Sequence, residues 1–496
     1  MLSSQTHKKN TLFLIGQGVL AVGLGGGLGL LLTELDSPIL VTVGVIGVLA
    51  GIIMALNVDL GLLALIFITF TRFSDVLVND HGLPSISKPF IFLLAIGIGV
   101  RWLLYVQPPS GWGRTFILVG AYGVVVSLSL VYADDYTRSY EAVSDFLKDG
   151  LIALMIVMIL QNEKAFQNAV WALVAAGAFL GTISVFQYLT GAFSNTFWGF
   201  GNTSLGNIAG ASNDYRIGGP FSDPNFYAQV VVVFIPLALE MLIGARNQFA
   251  RLFALWTAVA CSLTVIFTFS RGGFLALVGV LALYAFWKGL KLGSWLLIAG
   301  LTFVIVLLLP AQYTTRLSTL TSFLPGNNQT AQSDVSFVGR MSENIIGFRM
   351  FMDHPILGVG FKNYPAKYVE YSRGLGIDQR REERSPHSFY LEVAAEHGIV
   401  GLLVVGLLLY NVFNGLLYAK RVFNQLHLVN MENMTVSIMI SFVGYMISAV
   451  FLHNAYPRPF WVLIGITLAF SSYARVQYET YQLEGTLIAA KTGRGL

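Results

Sequence analysis

The feature that most constrains this chain is the recurrence, along nearly all of its 496 residues, of apolar stretches long enough as helices to cross a hydrocarbon layer of about 30 Å. Hydrophobic residues make up 55% of the chain and charged residues 11%, with a mean hydropathy of +0.68, and a water-soluble core cannot hide that much apolar surface. Runs such as Leu252 to Phe269 and Trp295 to Leu309 do not alternate, whereas transmembrane β-strands are alternating segments of about 10 residues. The fold class is therefore an all-α polytopic membrane protein.

Candidate spans fall near 12–32, 39–56, 58–71, 89–106, 115–131, 147–160, 166–189, 225–243, 252–269, 273–287, 294–310, 389–418, 435–453 and 459–474. That is about 14 transmembrane helices, in a range of about 12 to 14, within a single transmembrane domain covering 1–496. The stretch Leu12 to Leu32 reads as a retained first span, too long for a signal-peptide core. With the amino terminus in the cytoplasm, alternation places Lys8, Lys9, Arg114, Lys164, Arg246, Arg251, Lys288, Lys291, Lys420, Arg421, Lys491 and Arg494 inside, as the positive-inside rule expects. Both termini are then cytoplasmic, and three loops face outward: Tyr132 to Asp145, 191–224, and a large extracytoplasmic loop over 311–388.

The large loop carries a helical pattern. Met341, Ile345, Phe348 and Met352 recur on one face of a short helix suited to the membrane surface. Pro355 and the Gly358-Val359-Gly360 triplet end it, and this triplet lacks the third glycine and the strand-to-helix setting of a dinucleotide site. The single cysteine, Cys261, lies in an apolar run, so neither a disulfide framework nor a cysteine-based metal site is possible. A formal charge of +4 spread over loop positions gives no stripe for nucleic acid.

Polar residues at the outer edge are the candidates for chemistry. Arg216 precedes a span in the segment Arg216 to Asn225, where a snorkelling interface arginine is the plainer reading. Arg271 occupies a tight outward turn, against the orientation bias, and its fork of donors suits a pair of phosphate oxygens. His387 opens the span containing Glu392, Glu396 and His397, and imidazole suits general-base work near neutral pH. Before it run Arg373, Arg380, Arg381 and Arg384 among Asp378, Glu382 and Glu383, which also reads as a solvated, self-paired cluster. Glu392 and Glu396, one turn apart, repel on an open helix face and need partners, water or protons. No metal-ligand spacing is present, and no cofactor is implied.

Taken in order, these segments resemble the O-antigen ligase and O-antigen polymerase superfamily of bacterial surface-polysaccharide enzymes. The resemblance rests on Arg216 through Asn225, Ser270-Arg271, Gly339-Arg340-Met341, His354 through Gly360, His387 through Glu392 and Glu396 through Gly401, an O-antigen ligase-like region over 216–401. Such a resemblance implies a metal-independent, inverting glycosyltransferase of the lipid-sugar-dependent, GT-C-like fold in the bacterial inner membrane. Its donor would be a glycan on a polyprenyl-pyrophosphate carrier, and its acceptor a second glycan, lipid A core or a protein. Arg216 and Arg271 map to the family's paired arginines and His387 to its essential loop histidine, with Arg340, Glu392, Asn225 and Arg384 as substrate-binding candidates. Ser388 stands where the family often has asparagine. The competing reading is a lipid-sugar flippase or polysaccharide transporter, which would place ionisable groups near the bilayer midplane in paired, interrupted helices.

Overall fold

Helices begin where short polar side chains satisfy the first free amides. Asn57, Asp135, Asn162, Asp223, Asn247 and Ser270 each accept a backbone N–H from the first turn of the helix they precede. The computed structural model describes residues 57–105, 111–207, 213–289, 335–375, 382–452 and 457–492, with Gly51 and Ile53. The spans expected near 12–32 and 294–310, and that near 39–56 apart from those two residues, lie outside the described residues, as do Asp378, Arg380, Arg381, His453 and Asn454.

In chain order the helices are α1 (Val58–Thr71), α2 (Phe73–His81), α3 (Ser87–Tyr105), α4 (Trp112–Tyr132), α5 (Tyr136–Ile159), α6 (Glu163–Thr190), α7 (Pro224–Val232), α8 (Phe234–Gly244), α9 (Gln248–Phe267) and α10 (Arg271–Trp287). After them come α11 (Val335–Asp353), α12 (Tyr364–Leu375), α13 (Phe389–Gln425), α14 (Val429–Ala449) and α15 (Arg458–Thr492). Among the described residues six helices are long and apolar enough to cross a membrane: α4, α6, the continuous α7–α8, α9, α13 and α15. The pair α1–α2, bent by 52°, makes up to seven, and α10 is a shorter apolar helix. This is a predominantly helical, multi-pass membrane protein.

Close approach of the helices depends on small residues, as it must where lipid offers no hydrophobic drive between them. A Cβ at Gly177 would stand 2.8 Å from Phe234, and one at Gly181 would stand 3.0 Å from Ala260. Charge inside the bundle is paired: Arg458 with Asp149 at 2.8 Å, and Lys288 with Glu240 at 2.7 Å, the latter also bonded by the Tyr284 hydroxyl.

Two of the expected outward loops have more structure than the sequence suggested. The stretch 132–145 is mostly helix, because Asp135 caps α5 and because Ser139, Val143 and Phe146 already form its buried face. The stretch 191–224 folds into an antiparallel hairpin, β1 (Thr203–Asn207) with β2 (Asn213–Ile217), the one strand pair among the described residues. Gln187 on α6 anchors this loop by donating to the carbonyls of Asn195 and Gly201.

The large loop docks on the bundle through its backbone. Helix α13 breaks at Gly398, whose φ of 61° and ψ of −156° lie in a region that is essentially glycine-only. The strap Pro355–Gly360 enters that break. Val359 and Gly360 donate to the carbonyls of Ala395 and Glu396 at 2.9 and 3.0 Å, and Ile399 donates back to Pro355 at 2.8 Å. The other side of the strap is held by Tyr132, whose hydroxyl donates to the Leu357 carbonyl at 2.6 Å, and by Ser129 and Ser139 on either side of Phe361. Ile346, Met350, Val359, Tyr364, Tyr368 and Ala395 form a small separate core beneath α11 and α12. The stripe of Met341, Ile345, Phe348 and Met352 is exposed on the opposite face of α11, which suits a helix lying against lipid.

A Cβ at Gly398 would lie 2.4 Å from the Ile356 carbonyl group. Gly398→Ala is therefore expected to undock the strap, at a cost of about 1–3 kcal/mol from backbone strain alone. Limited proteolysis of purified protein checks this: the variant should be cut between residues 353 and 364 at protease levels that leave the wild type intact.

Candidate functional site

The hairpin exists to aim Arg216. On β2 that residue pairs with Ser204, and its guanidinium returns to the bundle. Nε donates to the Thr268 carbonyl at 2.9 Å and Nη2 to Asn225 Oδ1 at 3.1 Å. Thr268 caps the C-terminal end of α9, where the helix dipole favours a cation. Three residues on, Arg271 opens α10 behind the Ser270 cap, so the turn joining α9 to α10 holds both guanidiniums at one end of the bundle. Asn225, Ser270, Arg271 and Arg340 line a single narrow pocket, closed behind by Phe451 and Leu452. Four residues picked from the sequence, Arg216, Asn225, Arg271 and Arg340, are thus brought together from β2, α7, α10 and α11.

Helix α11 carries the link to the histidine. Glu343 lies three residues after Arg340, on the same face. Its carboxylate is 2% exposed and bridges two residues of the incoming segment. Arg384 Nη1 donates to Oε1 at 2.7 Å, and His387 Nδ1 is 2.6 Å from Oε2. A carboxylate oxygen accepts, so in this contact the Nδ1–H of His387 is the donor. Arg384, expected as a substrate-binding residue, pairs with Glu343. The Tyr364 hydroxyl fixes the backbone beneath by donating to the Glu343 carbonyl at 2.5 Å. Burial pushes the Tyr364 pKa upward, which keeps it a neutral donor.

The pair Glu392 and Glu396 finds its partners in the strap. Lys362 Nζ reaches Glu392 Oε1 at 2.7 Å, and the Tyr364 amide donates to Glu396 Oε1 at 3.4 Å. Burial works against the Lys362 ammonium, but Glu392 and Glu396 outweigh it and its pKa is raised, so this lysine stays charged at neutral pH. Glu392 therefore fastens the start of α13 to the strap. His397, also in the sequence pattern, is packed between the rings of Tyr122 and Phe361. On the other flank Arg138 holds Glu383 at 3.0 Å, and the hydrogen bonds it donates to Glu383 raise the arginine's pKa. Arg138, Lys362, Phe226 and Phe361 wall a cavity of about 540 Å³ beside the segment that carries His387.

Residues 256–406 match the family model described as O-antigen ligase. Over this stretch the chain is similar to the O-antigen ligases, which supports the resemblance to the O-antigen ligase and polymerase superfamily. No curated protein matches the chain. The family match spans Arg271, Arg340, Glu343, Arg384, His387 and Glu392, while Asn225, which precedes it, lines the same pocket as Arg271 and is hydrogen-bonded by Arg216.

The sequence did not single out Glu343 or Lys362. Glu343 is separated from His387 by 44 positions and Lys362 from Glu392 by 30. Neither has a motif of its own. The one available signal was the unbalanced charge of Arg384 and of the Glu392–Glu396 pair, which required partners somewhere in the loop. Glu343→Gln keeps the shape but removes the charge that orients His387 and neutralises Arg384. Loss of about 10²-fold or more in kcat is expected, with KM little changed. A normal turnover number for the purified variant would assign Glu343 to structure alone.

Proposed function

We propose that this protein transfers a glycan from a polyprenyl-pyrophosphate carrier to an acceptor hydroxyl at the outer face of the bacterial inner membrane, without a metal and with inversion. The observation that carries this reading is one face of α11, which presents Arg340 to the pocket of Arg271 and Asn225 and Glu343 to His387. A general base and an anion-stabilising cluster are thereby joined on one rigid element, with the superfamily's transferase chemistry as the context.

Glycosyl transfer needs negative charge stabilised on the departing pyrophosphate. Arg216, Arg271 and Arg340 supply it in a setting of reduced dielectric, and their planar forks match pairs of phosphate oxygens. It also needs the acceptor proton removed. His387 Nε2 takes that proton while Nδ1–H stays on Glu343, which stabilises the imidazolium that forms. The acceptor oxygen then attacks the anomeric carbon from the side opposite the carrier, the carbon–oxygen bond to pyrophosphate breaks, and its electron pair leaves with the phosphate. One such displacement inverts the anomeric centre. The cavity of about 540 Å³ next to Lys362 offers aromatic faces at Phe221, Phe226 and Phe361, together with carboxylates, the groups on which sugars dock. We assign it to glycan, with the acceptor a second carrier-linked repeat or another surface glycan.

Two outcomes test the roles. His387→Ala should remain folded and inserted yet lose transfer by about 10²–10⁴-fold in a purified assay with polyprenyl-pyrophosphate glycan; turnover at the wild-type rate would end the base assignment. Arg271→Lys should be impaired although it keeps the charge, because lysine cannot form the two-pronged contact. Full activity in the lysine variant would reduce the role of Arg271 to charge alone.

A further inference from the structure

A second basic cavity lies at the far end of the bundle. Its volume is about 280 Å³, and it is lined by Arg114 and Thr115 of α4, Asn411 of α13, and Ser471, Ser472 and Arg475 of α15. Three helices independently separate it from the His387 site. Along α4, Arg114 lies roughly 27 Å of helix rise from Tyr132, which binds the strap. Asn411 lies roughly 20 Å of helix rise beyond the break at Gly398, and Arg475 roughly 25 Å from Arg458 in the cavity assigned to glycan.

The electrostatics of this cavity ask for an anion. Arg114 Nη2 donates to the neutral amide oxygen of Asn411, and the Arg475 guanidinium lies 5.8 Å from the Tyr418 ring centroid. Against these two cations, Glu479 is the single acid among the described lining residues, and it is exposed. Helix α4 also starts here without a side-chain cap. Its preceding residue, Gly111, has a φ of 77°, and the amides of the first turn open into the cavity wall with Gly113, Arg114 and Thr115. Independently, Ser472 is 6% exposed and its hydroxyl has no hydrogen-bond partner, although it lines the same space. A buried hydroxyl is rarely left in that state unless a ligand or solvent completes it.

We infer that this cavity binds a phosphate group, held by the forks of Arg114 and Arg475, the free amides of α4 and the Ser472 hydroxyl. The oxygens of a tetrahedral anion point in four directions and can meet donors that converge from α4 and α15, whereas the acceptor sites of a carboxylate lie in one plane. The same chemistry is carried by the headgroup of an anionic phospholipid and by free phosphate, and the site stands apart from the transferase centre in both position and residues.

The test uses the full-length protein in phosphatidylcholine nanodiscs. One arm titrates inorganic phosphate by calorimetry; the other adds phosphatidylglycerol and counts retained lipids by native mass spectrometry. In one arm the wild type should bind, with the double variant R114Q/R475Q weakened at least tenfold and Ser472→Ala weakened several-fold. Binding confined to the first arm identifies free phosphate, and binding confined to the second identifies a lipid headgroup. Because phosphate can also enter the Arg271 pocket, both arms are repeated in an Arg271→Ala background, where the difference between Arg114 and Arg475 variants and their parent should persist. A parent that binds in neither arm, or an R114Q/R475Q protein that binds as its parent does, overturns the proposal.

Discussion

The break in α13 at Gly398 is the constraint on which the rest of this architecture depends. A continuous helix would keep the Ala395 and Glu396 carbonyls inside its own ladder, and the large loop would have no backbone partner at the bundle. Because the helix opens there, the strap Pro355–Gly360 takes those acceptors and returns the Pro355 carbonyl to Ile399. Backbone hydrogen bonds shielded from water are costly to lose, so the loop is docked by groups that side-chain substitution cannot remove. The two glycines of the strap follow from the same fit. A Cβ at Gly358 would lie 2.3 Å from the Glu396 carbonyl carbon, and one at Gly360 would lie 2.7 Å from Ala133.

Docking of the strap sets the position of α11, and α11 sets the site. The helix spans the distance between the arginine pocket and the histidine with two residues three positions apart, Arg340 and Glu343. Glu343 is buried between Arg384 and His387, which makes it an ion pair and an imidazole anchor at once. A carboxylate so placed is costly without both neighbours, and each neighbour is fixed in turn by the carboxylate. Lys362 with Glu392 and Arg138 with Glu383 repeat the pattern on either flank. The segment that presents His387 is therefore tied down on both sides by charge pairs to different elements, which holds the geometry that the proposed base needs.

The chain alone settled the all-α membrane class and most of the apolar helices within the described residues, whereas the helices Phe73–His81 and Tyr364–Leu375 were not expected from it. Hydropathy acts locally: a stretch of apolar residues in lipid must satisfy its own backbone, so each such stretch is a helix wherever it sits. Arg216, Arg271, Arg340 and His387 were singled out through the superfamily resemblance, Arg216 against the plainer reading of a snorkelling interface arginine. What only tertiary structure decided is which of them meet. Arg384 meets Glu343, and Glu392 meets Lys362. The stretch 132–145 became a capped helix, because its burial depends on a strap more than two hundred positions away. Nor did any local signal mark Gly398 as a break, since its glycine-only conformation is imposed by chain segments that reach it from the loop. Local composition governs where backbone polar groups are satisfied within a span; contacts between distant segments govern where the chemistry is assembled.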